Sequence, residues 1–115
     1  EILFFARAAA GDDGHIHPRS HRIQHFQIDT LFLSLEGIDL NDGLSVVDVQ
    51  DGHTKKVLVE KAKRVICIAD HSKFNKSFFY KIAPVADVDL VVTDTGLDAA
   101  TQELFRQNNV PLVLA

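Results

Sequence analysis

The sequence predicts an α/β fold, a mostly parallel sheet with flanking helices, and three observations lead there. Short apolar runs with β-branched residues recur along the chain, the type buried on both faces of a parallel sheet. Stretches of helical pattern separate them, so strand and helix alternate. Three of the runs also end in acid-bearing turns: Glu36-Gly37-Ile38-Asp39, Asp70-His71-Ser72-Lys73 and Asp94-Thr95-Gly96. If the strands are parallel, these turns share one edge of the sheet, and ligands of open α/β sheets bind beyond that edge.

Glu1 to Phe5 is the first candidate strand, followed by a loop over residues 8–14. Pro18 suits the first turn of a helix, where its missing N–H is not needed, and that short helix would bury Ile16, Ile23 and Phe26. Thr30–Leu35 is the next strand, with Glu36–Gly43 as the turn region after it. Residues 45–51 read as an extended piece leading to a helix near His53–Lys63, with Val57, Leu58 and Ala62 inward. Arg64–Ala69 is a buried strand. Ser77–Ile82 reads as a short helix or irregular segment closed by Pro84. Leu90–Thr93 is another short strand. A helix from about Asp98 to Asn108 follows and would bury Leu97, Ala100, Leu104 and Phe105. Asn109 fits a left-handed C-cap, Pro111 stops the helix, and residues 111–115 form the last strand. The alternation implies right-handed crossovers between parallel strands.

A chain of 115 residues holds one domain at most, and 46% hydrophobic with 24% charged residues is ordinary for a soluble one. The formal charge of −4 is interspersed. Lys55, Lys56, Lys61, Lys63 and Arg64 approach a basic patch, but they fall mostly on a helix beside Glu60 and read as a solvated face, so DNA contact by this chain itself is not expected. The single cysteine, Cys67, sits mid-strand as a small buried hydrophobe and leaves no intramolecular disulfide, which fits a reducing cytoplasm. No apolar run approaches the ~18 residues of a membrane span, and no membrane partner is expected. The start lacks a signal peptide, while the absence of any Met and the strand-like opening suggest a piece of a longer protein.

The most informative stretch is Ile68 to Asn75, a strand ending in a carboxylate followed by a hydroxyl and a cation. Asp70, Ser72 and Lys73 stand where a phosphorylated or polyhydroxylated small molecule would be met. Lys73 would supply a point charge for a phosphate, with Ser72 and backbone N–H groups as further donors. The competing reading makes Asp70 a cap for the next element and leaves Lys73 solvated. Asp94 reads as structural, a strand-end cap. His17, His21 and His25 recur every four residues with His15 nearby, but no third ligand of fixed spacing accompanies them, so a polar helix face explains them and no metal is assigned. Asp39 to Gly43 fails as a calcium loop, because its glycine comes early and Gln50 stands where the bidentate Glu belongs. Mid-strand Cys67, adjacent His71 and Ser72, and the lack of a glycine-rich phosphate loop give no catalytic residue and no nucleotide cofactor.

From about His25 onward the sequence resembles the C-terminal sensor domain of DeoR-type bacterial transcriptional repressors of sugar metabolism. The matching pieces are His25–Asp29 leading to Leu31-Phe32-Leu33, Glu36-Gly37-Ile38-Asp39 with Gly43-Leu44, Lys55-Lys56 before Glu60-Lys61-Ala62, Val65 to Phe74, Ile82 to Asp89, and Val91 to Leu97. The resemblance implies a ribose-5-phosphate-isomerase-like fold that senses a phosphorylated sugar, oligomerises, and reaches operator DNA through a winged helix-turn-helix absent from this chain. Residues 1–115 would then be the later part of one sensing domain. It implies a ligand site at Glu36, Gly37, Asp39, Lys55, Lys56, Asp70, Ser72 and Lys73, with no catalytic residue, metal or cofactor. The family usually carries Asp where Glu36 stands and an acid where Gln50 stands, and the Gly-Gly expected after the first strand is missing, with Phe4-Phe5-Ala6-Arg7 in that region instead. The alternatives are a sugar-phosphate isomerase of the same fold, with Glu36 or Asp39 as base and Lys73 stabilising the oxyanion, and a domain for oligomerisation only.

Overall fold

A computed structural model describes residues 28–115. The candidate strand Glu1–Phe5, the helix expected from Pro18 and the four histidines near it lie outside these residues. In chain order the elements are β1 (Ile28–Ser34), β2 (Gly37–Asp39), β3 (Gly43–Val46), α1 (Val49–Lys61), β4 (Ala62–Ile68), β5 (Tyr80–Ala83), β6 (Leu90–Thr93), α2 (Ala99–Gln107) and β7 (Leu112–Leu114), with short 3-10 turns at His71–Lys73 and Val85–Asp87.

Two sheets result. β1, β4, β6 and β7 form a parallel sheet in that order, which is the α/β architecture the alternation implied. Its register sets Leu31 beside Val65, Leu33 beside Cys67, and Cys67 beside Val91, so these five residues share one face. All are buried, and α1 adds Val57 and Leu58 while α2 adds Phe105 to the same cluster. Phe105 meets Phe74 edge to face, with ring centroids 5.3 Å apart. Each helix is stopped and started by local chemistry: Asp48 accepts from the N–H groups of Gln50 and Asp51 at the head of α1, and Asp98 accepts from Thr101 N–H at the head of α2. Asn109 holds φ of 59°, the left-handed conformation expected after α2.

The second sheet departs from the sequence expectation. The Glu36–Gly43 turn region contains β2, which pairs antiparallel with β3, and β3 pairs with β5. The segment read as a short helix or irregular over Ser77–Ile82 ends instead in β5, where Ile82 is buried and Phe79, just before the strand, is 79% exposed. Strands of three or four residues carry too little alternation to be told from turns or helical fragments. The link from β4 to β6 is therefore an antiparallel excursion with two 3-10 turns rather than a helix. In α1 the first helical residue is Val49, well ahead of His53, and Ala62 is the first residue of β4. α2 buries Thr101 and Phe105, while Ala100 and Leu104 face solvent, because the helix covers the sheet with a narrow stripe.

Among the described residues no helix is long and apolar enough to cross a membrane.

Candidate functional site

The carboxyl ends of β1, β4 and β6 lie along one edge of the parallel sheet, and the three acid-bearing turns follow from them. The turn after β4 is fixed from within. Asp70 Oδ1 accepts from Ser72 N–H at 2.8 Å and from the Ser72 hydroxyl, so Asp70 caps the His71–Lys73 turn, as the competing reading of this stretch has it. These bonds, the hydroxyl's first, with some help from the nearby Lys73 charge, hold the Asp70 carboxyl below its ordinary value despite the opposing charge of Asp94. Lys73 is half-buried and, among the described residues, has no carboxylate within 4.0 Å of its ammonium.

The turn after β6 is tied to the turn after β4. Asp94 Oδ2 accepts from His71 N–H at 3.0 Å, while Asp94 Oδ1 meets His71 Nδ1 at 2.9 Å and accepts from Gly96 N–H at 2.7 Å. The backbone bonds from His71 and Gly96 hold the Asp94 carboxyl below its ordinary value, with the His71 ring adding to them. Asp94 is structural, as expected, but its partner His71 was not foreseen as one. The Asp-x-Gly spacing announces the local bond to Gly96. The bond to His71 follows only from the register that sets β6 beside β4.

β2 approaches the same place. Asn75 N–H donates to Ile38 C=O at 2.8 Å, and Ile38 and Phe74 form a parallel bridge. This draws Glu36, Gly37 and Asp39 alongside the Asp70–Asn75 segment. Gly37 is there because nothing larger fits: a Cβ would lie 2.6 Å from Lys76 C=O and 2.8 Å from Ser45 Oγ. Glu36 Oε1 accepts from Val47 N–H at 2.6 Å, and Asp39 Oδ2 accepts from the N–H groups of Asn41 and Asp42 at 3.0 and 2.8 Å. In Glu36, Asp39 and Asp70 alike, one carboxylate oxygen holds the protein's own backbone. The second oxygen of each has no hydrogen bond among the described residues.

The two lysines of α1 part company. Lys55 is largely buried, donates from Nζ to Ser34 C=O at 2.9 Å, and pairs with Asp51 at 3.0 Å, which puts its charge at the carboxyl end of β1. Lys56, a rotation of about 100° further round the helix, lines a separate cleft of about 390 Å³ with Asp42, Gly43, Lys81 and Pro84. Asp70, His71 and Asp94 bring three possible metal-ligand atoms within 4.8 Å of one another. His71 Nδ1 and both Asp94 oxygens are already engaged in the clamp described above, and a carboxylate held by N–H donors is satisfied without an ion. Cys67, buried beneath this edge, has its thiol pushed up to about 12 by burial and is no nucleophile.

A family model described as the DeoR C-terminal sensor domain matches residues 15–95. The HTH-type transcriptional repressor GlcR of Bacillus subtilis (strain 168) is 30% identical over 81% of this chain and 36% of its own length. The HTH-type transcriptional regulator GlpR of Haloferax volcanii is 32% identical over 79% of this chain and 36% of that protein. The glycerol-3-phosphate regulon repressor of Escherichia coli (strain K12) is 27% identical over 80% and 36% respectively. The chain thus spans little more than a third of the length of these curated relatives.

Proposed function

The chain belongs to the family of DeoR C-terminal sensor domains, and from that premise we propose that it is the effector-sensing and oligomerisation domain of a cytoplasmic transcriptional repressor, with a phosphorylated sugar as its effector and no catalysis or cofactor of its own. The relatives are transcriptional regulators by name, and one is named for the regulon of a small phosphorylated polyol. Operator DNA would be reached through a part of the protein beyond this sensor.

One observation carries the ligand reading. At the carboxyl edge, cations and half-occupied carboxylates come from three elements: Lys73 and Asp70 after β4, Glu36 and Asp39 around β2, and Lys55 from α1. A sugar phosphate needs that mixture. Lys73 takes the phosphate as a point charge, with the Ser72 hydroxyl as a second donor once the ligand competes with Asp70. The second oxygens of Glu36, Asp39 and Asp70 accept from sugar hydroxyls. The protein bonds on the first oxygens fix each carboxylate before the ligand arrives, which lowers the entropy lost on binding. Release from DNA by the effector requires that it bind the DNA-free state more tightly.

The test is calorimetry on the full-length protein with matched phosphorylated and unphosphorylated sugars. The phosphorylated member is expected to bind more tightly, and Lys73→Ala to remove that preference. Equal binding of both members by the unaltered protein would overturn the assignment of Lys73, and turnover of an aldose or ketose phosphate would move the reading to an isomerase.

A further inference from the structure

The clamp between the turns after β4 and β6 fixes an imidazole ring as well as the backbone. Asp94 is ionised at neutral pH, held below its ordinary value chiefly by the N–H groups of His71 and Gly96, so its oxygens can only accept. The 2.9 Å contact with His71 Nδ1 therefore places a proton on that nitrogen. A neutral imidazole carries one N–H, which leaves Nε2 as an acceptor.

The ring is seated as well as bonded. A Cβ on Gly96 would lie 2.7 Å from His71 Nδ1 and 2.9 Å from Cε1, so the ring occupies the space this glycine leaves. With Nδ1 on Asp94 and Cε1 against Gly96, the open side of the ring is the side that carries Nε2. The His71 side chain is 54% exposed, and Nε2 has no hydrogen bond among the described residues. Orientation and tautomer are both set before any ligand arrives, so little entropy is lost in using this acceptor.

His71 and Lys73 address different parts of the edge. The His71–Lys73 turn is a 3-10 helix, in which successive side chains leave about 120° apart. The His71 ring reaches the turn after β6, with a ring nitrogen within 4.8 Å of carboxylate oxygens of both Asp70 and Asp94. Ser72 and Lys73 leave the turn in other directions. A ligand whose phosphate lies on Lys73 meets His71 with another part of itself.

We propose that His71 is a ligand-contacting and specificity-determining residue of this edge: its Nε2 accepts from one hydroxyl of the bound sugar phosphate, and Asp94 and Gly96 are its positioning residues. This rests on the ligand reading above and deepens it. The effector must carry a hydroxyl at the β6 end of the edge in addition to a phosphate at Lys73. An ionised phosphate oxygen cannot donate and would not serve Nε2.

The test separates this role from that of a mere tie between two turns. In His71→Asn the amide nitrogen falls near the place of Nδ1, so the bond to Asp94 is kept and only the outward acceptor is lost. Calorimetry on the full-length protein with glycerol 3-phosphate and a set of pentose and hexose phosphates first finds the tightest binder. His71→Asn is expected to weaken that binder about tenfold, as loss of one hydrogen bond does, with the melting temperature unchanged. Among the monodeoxy analogues of the same compound, one should bind the unaltered protein about tenfold more weakly. That analogue should lose nothing further in His71→Asn, because both changes delete the same bond. With histidine labelled for nitrogen NMR, the His71 Nε2 resonance should shift on adding the binder while Nδ1 stays. Undiminished affinity in His71→Asn, additive losses for every deoxy analogue, or an Nε2 resonance that does not move would overturn the proposal and leave His71 a clamp. Binding that depends on Lys73 but not on His71 defeats this proposal alone, whereas no binding of any of these phosphates to the unaltered protein defeats the ligand reading beneath it.

Discussion

The parallel and antiparallel sheets of this domain are held together by different means. The parallel sheet rests on burial: Leu31, Leu33, Val65, Cys67 and Val91 share a face, and Phe105 and Leu58 close it from the helices. The antiparallel sheet has strands of three or four residues, and to the burial of Ile38, Leu44, Val46 and Ile82 in the same core it adds close backbone approach and polar ties. Gly37 admits Lys76 C=O, Gly43 takes φ of 84° with Ala83 C=O against it, Ser45 Oγ accepts from Phe78 N–H, and Glu36 accepts from Val47 N–H. The first construction resists local change, because its inner strands β4 and β6 are paired on both sides and share one core face. The second can loosen in part.

The largest expected effect falls on the first construction. Phe105→Ala removes a fully buried ring and its contact with Phe74, and should cost about 4 kcal/mol in urea denaturation while unfolding stays a single transition. Gly37→Ala should cost about 2 kcal/mol through overpacking against Lys76 and Ser45, and its mark is local: hydrogen exchange should speed up at Val47 and Phe78 more than at Leu33 or Val91. Uniform acceleration would erase the distinction between the sheets. Thr93→Val should stabilise by up to about 1 kcal/mol, since the buried Thr93 hydroxyl has no hydrogen-bond partner among the described residues and loses nothing on replacement. A loss of stability there would mean that the hydroxyl does have a partner.

Acid sharpens the comparison further. Asp70 and Asp94 both sit below their ordinary value when folded, so the stability they contribute is fully present above the unfolded carboxylate pKa, about 4, and is lost as pH falls through the lower folded values. The clamp between the turns after β4 and β6 should therefore loosen before the parallel core does. Asp94→Asn should flatten that pH dependence, seen as exchange at His71 and Gly96 that no longer rises on acidification.

The same contrast explains what the sequence made legible. β1, β4, β6 and β7 announce themselves as apolar runs, and for β1, β4 and β6 the reason is burial against the core. The left-handed cap at Asn109 was equally readable from local chemistry. β2, β3 and β5 were not, since what fixes them is the space that Gly37 leaves and the Ser45 bond to Phe78, a partner 33 residues away. Within the candidate site, Asp70, Ser72 and Lys73 were singled out from strand-end position alone. That Lys55 turns to β1 and Lys56 to another cleft, or that His71 answers Asp94, depends on helix rotation and sheet register, which single-residue patterns do not carry.

Hydrogen exchange of the full-length protein with and without a bound sugar phosphate tests the central claim most directly, because it asks where the effector sits. Protection is expected in two separate stretches, residues 36–39 and 70–75, together with the start of the turn after Thr93, and Lys73→Ala should abolish it. Protection confined to the cleft lined by Lys56 and Lys81 would contradict a ligand site at the carboxyl edge of the parallel sheet.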